Sequence, residues 1–228
     1  MTRMRVELPV VIALGSNQAS GDHGGREELL RLAVRAIDSL DGVRVTAASG
    51  IVETPALKPH GVDETAPSYL NAIVLARVAL SPEMLLGALH GIEAALGRVR
   101  EEVWGDRTID LDIVDFGGLR RTNETVTLPH PRAHERAFVL APWLQVQPDA
   151  VLPIAGAAGS ASGDSDSAAA GSAAAGSGAA GSARVADLLA STTDRVTAYP
   201  AEPLFVPGDA DADAHPDAVS ADPATVQR

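Results

Sequence analysis

The chain of 228 residues has no cysteine, one lysine and few aromatics, and each shortage removes a class of explanation. Without cysteine there are no disulfides and no thiolate metal sites, and a reducing compartment fits. Lys58 is the only lysine, so long cationic side chains that meet anions are mainly arginines. Phe, Trp and Tyr make up 3% of the chain, which makes each one worth placing individually. The apolar share is 46%, much of it alanine. No apolar stretch reaches the roughly 20 residues that a membrane-spanning helix needs. Met1 to Pro9 carries arginines with no long apolar run after it, so no signal peptide is expected and the chain reads as a cytoplasmic protein with no membrane partner. The net charge of −12 argues against nonspecific nucleic-acid binding. That charge is uneven: residues 155–228 hold ten acids and three arginines, residues 1–154 twenty acids and fifteen bases.

Local patterns give the order of elements. Leu8 to Leu14 is an apolar run ending at Gly15 and reads as a buried strand. From Gly25 to Leu40 the apolar residues Leu29, Leu32, Ala33, Ala36, Ile37 and Leu40 recur at helical spacing. Val43 to Glu53 is rich in β-branched residues and predicts a strand. Pro55 to Pro67, with three prolines and a glycine, predicts a loop. Tyr69 to Leu80 reads as a strand, and Ser81-Pro82-Glu83 as the start of a helix that stops at Gly97. Thr108 to Phe116 is a fourth strand. Val126 to Leu128 and His134 to Gln145 predict a short strand and a further helix. The order strand, helix, strand, strand, helix, strand is the split βαβ arrangement of ferredoxin-like α+β folds. It predicts an antiparallel sheet with both helices on one face and the other face free for a ligand. Residues 155–183 are alanine, glycine and serine with two aspartates, expected to be a flexible insertion. Residues 184–206 regain a helical pattern and return to the core at 1–154, and residues 207–228 form an acidic tail expected to be disordered.

The most informative stretch is Trp104-Gly105-Asp106-Arg107-Thr108-Ile109-Asp110-Leu111-Asp112-Ile113. On a strand, Asp110 and Asp112 project to one face, and Leu111 and Ile113 to the other. Two carboxylates that close repel, which a hard cation such as Mg²⁺ would relieve. Arg107 beside them offers a fork that suits phosphate oxygens. A solvated strand face would show the same pair, so the residues alone leave both readings open.

Further segments extend the pattern: Ala13-Leu14-Gly15-Ser16-Asn17, Glu53-Thr54-Pro55-Ala56-Leu57, Tyr69-Leu70-Asn71-Ala72, Ile92-Glu93 with Gly97-Arg98-Val99-Arg100, and Leu128-Pro129-His130-Pro131 with Glu135-Arg136-Ala137-Phe138. Together, in this order, they resemble the hydroxymethyldihydropterin pyrophosphokinase family of folate synthesis, over about residues 8–154 with a weaker echo at 184–200. The resemblance implies a ferredoxin-like fold and transfer of the β,γ-pyrophosphate of ATP to a hydroxymethyl dihydropterin, with AMP released. It implies two Mg²⁺ ions held by Asp110 and Asp112. It also implies phosphate contacts from Arg98, Arg107, His130 and Arg136, and a position near the nucleotide for Glu93. Ile113, Thr127 and Leu128 would frame the adenine through their backbone. Trp104 would sit in a lid spanning Arg98 to Arg107. The pterin pocket would comprise Thr54, Pro55, Leu57, Tyr69, Asn71 and Phe138, with Trp104 over it. Read without the resemblance, Arg98 and Arg100 are dipole-favoured cations at a helix end, Glu93 a solvated helix face, His130 a structural histidine and Phe138 a core residue. Asn71 inside an apolar strand is harder to explain in such terms, because a buried amide must find partners.

The chain departs from the family pattern at Val103, where arginine is frequent, at Asp106, usually proline, at Ala56, a common second proline, and at Thr125, arginine in some members. None of these touches the acid pair or the pterin residues. The expected protein is a monomeric enzyme acting on small molecules. A pterin- or nucleotide-binding protein without catalysis, and a Mg²⁺-dependent nuclease or phosphatase using the acid pair alone, are the other classes open to it.

Overall fold

The computed structural model describes residues 6–58, 61–63, 66–98, 108–155 and 180–206. Strand β1 (Leu8–Ser16) leads to helix α1 (Arg26–Asp38), strands β2 (Val43–Ala48) and β3 (Val52–Thr54), and a hairpin of β4 (Ala56–Lys58) and β5 (Gly61–Asp63). Strand β6 (Tyr69–Val78), helix α2 (Pro82–Ala95) and strand β7 (Asp110–Phe116) follow. Then come a hairpin of β8 (Arg121–Thr122) and β9 (Thr127–Leu128), a 3-10 turn (Ala133–Glu135) and helix α3 (Ala137–Val146). Strands β10 (Val151–Ala155) and β11 (Ala180–Arg184), helix α4 (Val185–Ser191) and strand β12 (Thr197–Ala198) complete the described chain.

The architecture is mixed α/β around one six-stranded sheet whose pairings are all antiparallel. β1 and β6 form its centre, β7 lies outside β1, both β2 and β3 pair with β6, and β12 edges β3. β1 reads as an unbroken apolar run because both its faces are covered. Val10, Ile12 and Leu14 join the core beneath α1 and α2, while Val11 and Ala13 join a second cluster with α3. α1 is held by the stripe Leu29, Leu30, Ala33, Val34 and Ile37, all buried. Each large side chain in that stripe is worth roughly 1.5–3 kcal/mol of transfer free energy, so packing rather than propensity fixes the helix. α2 starts as its sequence predicts: Ser81 Oγ accepts the Met84 N–H at 3.2 Å, with Pro82 in the first turn. It ends at Gly97, whose φ of 86° favours glycine at a helix C-terminus.

The structure differs from the sequence reading in several places. The second sheet face is not left free: α3 covers part of it, with Leu140 and Trp143 against Val11, Ile73 and Val114. Those apolar side chains on β1, β6 and β7 would otherwise face water. The expected strand 43–53 is split, because the Ser49 hydroxyl takes the Ile73 N–H at 2.9 Å and donates to Gly50 O at 2.8 Å, standing in for a ladder bond to β6 where the chain passes from β2 to β3. The expected loop 55–67 contains the β4–β5 hairpin; Pro55 stands just before a strand, where its missing N–H costs no ladder bond. The helix expected from His134 is broken at Arg136, which is extended (φ −112°, ψ 105°), so α3 proper begins at Ala137. The fourth strand starts at Asp110 rather than Thr108. Residues 180–183, read as part of the insertion, belong to β11 and pair with β10 from Ala155↔Ala180 to Val151↔Arg184. The rest of the low-complexity segment and residues 207–228 lie outside the described residues. Among the described residues no helix is long and apolar enough to cross a membrane.

Candidate active site

Strand register assembles the site. Gly15 on β1 pairs with Asp110 on β7 and with Asn71 on β6, and Asn71 pairs with Val52 on β3. Residues directly opposite in a sheet share a face. Asp110, Gly15, Asn71 and Val52 therefore form one row across four strands. Asp110 and Asn71 are two strand spacings apart, roughly 10 Å. Asp112 lies one step along β7, opposite Ala13, on the same face. Leu111 and Ile113 point the other way and are buried beneath the helices, as the alternation requires. Both aspartates are partly exposed.

The acid pair is anchored from below by α2. Glu93 is 2% exposed, so the solvated-face reading of its position does not hold. Its Oε1 accepts the Leu111 N–H at 2.8 Å, tying α2 to the start of β7. The Arg98 guanidinium bonds to the same Glu93 oxygen and meets Asp110 Oδ1 at 2.7 Å. Arg98 is thus not a solvated helix-end cation but a largely buried bridge between two carboxylates. Burial pushes the Glu93 pKa above its ordinary value, while the Leu111 N–H and Arg98 pull it back. Among the described residues no group of three or more His, Cys, Asp or Glu side chains converges as a metal cage. The two carboxylates offer hard oxygen donors on one strand face.

Across Gly15 stands the amide of Asn71, 5% exposed. Its Nδ2 donates to Thr54 Oγ1 at 3.1 Å, and a Cβ placed on Gly15 would lie 3.3 Å from Asn71 Oδ1. Glycine at this strand position therefore leaves room for the amide to lie over β1, a signal that an isolated glycine in a strand pattern carries. Tyr69 is on the same face, paired with Thr54. Pro55 follows on the loop side, and Leu57 sits on β4 opposite Val62. Phe138, in the first turn of α3, packs on the same side of the sheet, with the Arg136 guanidinium 5.6 Å from its ring centroid. Burial lowers the Arg136 pKa from its ordinary value.

On the outer edge of β7, the His130 N–H bonds to Val114 O at 2.9 Å, which puts His130 beside the strand that carries Asp112. Its Nδ1 accepts the Arg132 N–H at 3.2 Å. Thr127 is exposed and Leu128 is buried in the helix-side core. Ile113 is buried in that same core. Trp104 and Arg107 lie outside the described residues. Asp194, which no motif singled out, reaches the start of α3: its Oδ2 accepts the Ala137 N–H at 3.3 Å.

Comparison with known proteins gives a consistent answer. The family model described as 7,8-dihydro-6-hydroxymethylpterin-pyrophosphokinase (HPPK) matches residues 11–148. A 2-amino-4-hydroxy-6-hydroxymethyldihydropteridine pyrophosphokinase of Methylorubrum extorquens is 40% identical over 141 residues, covering 62% of this chain and 84% of that protein. The Haemophilus influenzae protein of the same name is 38% identical over 146 residues, 64% of this chain and 86% of its own. That of Bacillus subtilis is 43% identical over 135 residues, 59% and 75% respectively.

Proposed function

Because this chain belongs to the 7,8-dihydro-6-hydroxymethylpterin-pyrophosphokinase family, we propose a division of labour along the open row of the sheet. The reaction is pyrophosphoryl transfer to the hydroxymethyl group of the dihydropterin, a step of folate biosynthesis. ATP is the donor; its β,γ-pyrophosphate moves and AMP departs. The observation that carries the division is the register itself: Asp110, one of the two acids, and the buried amide of Asn71 stand on either side of Gly15 in one row, with Asp112 on the same face opposite Ala13.

At the β7 end, Asp110 and Asp112 are the residues that would hold Mg²⁺, as two ions. The chemistry such ions would supply when held there is neutralisation of phosphate charge and a lowered pKa for the attacking hydroxyl. Arg98, fixed by Glu93, presents a cation at the same place. Arg107, His130 and Arg136 supply the remaining phosphate contacts, and the backbone at Ile113, Thr127 and Leu128 borders the adenine. The role assigned to Trp104 by the family pattern is to exclude water from the reacting groups. At the β6 end, Asn71 and Thr54 read the amide edge of the pterin. Tyr69 and Phe138 hold the ring between them with Pro55 and Leu57. A separation of about two strand spacings lets a pyrophosphate bridge the two ends in line, so that positioning and charge neutralisation perform the catalysis.

The sheet order β7-β1-β6-β2/β3, with crossovers through α1 and α2, supports a ferredoxin-like core. We assign that core to residues 1–154, completed by the return segment 184–206. The protein acts as a cytoplasmic monomer on small molecules, without nucleic acid or membrane. The test is to incubate it with ATP, Mg²⁺ and hydroxymethyldihydropterin and to identify the nucleotide product. AMP is expected. ADP would replace this reading with single-phosphoryl transfer, and tight pterin binding with no turnover would leave a binding protein.

A further inference from the structure

We propose that residues 194–198 form a strap that sets the spacing between the two walls of the pterin pocket, with Asp194 as a positioning residue. The inference rests on the pocket assigned above, and concerns a segment beyond the residues that the family model matches.

One wall is the start of α3, which brings Phe138. That helix has no side-chain cap of its own: Arg136, the residue before it, is extended and caps nothing. The missing acceptor comes from 57 residues away, as Asp194 Oδ2 takes the Ala137 N–H. A carboxylate there satisfies an orphan donor and opposes the positive end of the helix dipole. It also attracts the Arg136 guanidinium, which lies over the Phe138 ring. The start of α3, next to the Phe138 ring, is thus tied to a residue outside both helix and sheet.

The other wall is β3, which brings Thr54. Thr197 and Ala198 pair with Glu53 and Val52, and Thr197 Oγ1 donates to Glu53 O at 3.3 Å. The next residue, Tyr199, donates its N–H to Ile51 O at 3.0 Å. Thr197 follows Asp194 by three residues, so about 11 Å of chain at most joins the two anchors. Downstream the segment is held firmly: Leu204 is buried in the helix-side core, and Arg31 binds Glu202 O and Pro203 O at 2.9 and 2.8 Å. Anchored at both ends, the strap acts with the packing of Leu140 and Trp143 on the sheet to set how far the start of α3 stands from β3. The element that completes the substrate pocket is the part of the chain that returns after β11.

The experiment is steady-state kinetics on the full chain. Asp194→Ala is expected to raise KM for the pterin about fivefold, the worth of one helix cap, with KM for ATP and kcat changed less than about twofold. Asp194→Asn, whose amide oxygen still caps, restores the pterin KM. Two glycines inserted after Arg195 keep both anchors but slacken the strap, and raise the pterin KM with Asp194 intact. A lowered Tm with an unaltered pterin KM in Asp194→Ala would reduce the contact to a structural one and overturn the inference. Should that variant fail to fold, the insertion decides: an unchanged pterin KM there overturns the strap. Asn71→Ala separates the two levels. If it raises the pterin KM while the strap variants do not, the pocket stands and the strap falls; if none of them does, the pocket fails and the strap with it.

Discussion

Glu93→Ala probes how the acid pair is held, and its effect can be worked from the contacts. The Leu111 N–H, bonded to Glu93 Oε1 at 2.8 Å, loses that acceptor, which costs about 1–3 kcal/mol in a buried site. Arg98 loses one of its two carboxylates but retains Asp110 at 2.7 Å. The full 3–5 kcal/mol of a stripped buried charge is therefore not expected. Relief opposes these losses, since burial raises the Glu93 pKa and the variant has no carboxylate to desolvate. The net destabilisation is about 2–3 kcal/mol, or roughly 5–10 °C in Tm for a chain of this length. Glu93→Gln keeps an oxygen for Leu111 and costs about 1 kcal/mol. Urea unfolding followed by far-UV circular dichroism measures both, with the slope m unchanged. Because the bond sets where β7 begins, kcat for AMP release in Glu93→Ala should fall by about tenfold or more, as small misplacements in a reacting geometry do. An alanine variant within about 0.5 kcal/mol of wild type, or a glutamine variant as damaged as alanine, would refute the account of a buried anchor.

Asp112→Ala should abolish AMP formation while the Tm stays within a few degrees, because the side chain is partly exposed and takes no part in the apolar cores; activity like that of wild type would remove Asp112 from the metal site. Burial raises the Asp115 pKa above its ordinary value, and the Gly118 and Phe116 N–H groups pull it back only in part. Its carboxyl stabilises the fold fully only below the ordinary aspartate pKa near 4, and that contribution is lost as pH rises through the folded value. Asp115→Asn, which keeps an oxygen toward Gly118, should equal or exceed wild-type stability at pH 7 and lose that advantage below about pH 4; a clear loss of Tm at pH 7 would contradict this. Replacing residues 156–179 by a short glycine-serine turn should leave kcat/KM within about twofold, because β10 and β11 already pair at Ala155 and Ala180 and shortening a connection changes closure entropy little; a large drop in a folded variant would give that segment a role in turnover.

The fold is legible in the sequence where a local rule has no competitor. Ser81-Pro82-Glu83 starts a helix wherever it is followed by helical spacing, and the alternation of Asp110 to Ile113 has two outcomes of which only one buries Leu111 and Ile113. It is not legible where a distant group decides. Nothing near Val43–Glu53 announces that the Ser49 hydroxyl will take a bond from Ile73 and split the strand. The same holds for α3, whose apolar residues read as an ordinary helix and reveal neither the break at Arg136 nor the sheet face they cover. Glu93 had the pattern of a solvated helix position because its partners, Leu111 and Arg98, come from a strand and a helix end that periodicity does not bring together. Asp194 was invisible for the same reason: a cap supplied across 57 residues leaves no local signature.

The row through Gly15 explains why these non-local contacts gather where they do. A central strand flanked on both sides offers an unoccupied position only where it has no side chain, and Gly15 is that position on β1. Asn71 fills the space from one side and Asp110 approaches from the other, so each must be held by something other than β1. Thr54 holds the amide, and Arg98 with Glu93 holds the carboxylate. Each of these supports comes from an element that packs on the sheet for other reasons: β3 through its pairing with β6, α2 through its buried stripe. A change at the row is therefore felt in the pocket before it is felt in the core. Gly15→Ala forces a 3.3 Å contact onto the Asn71 amide oxygen, at a backbone position with no left-handed strain. The burden falls on the amide that the substrate meets, because β1 and β6 are fixed by their nine-residue register.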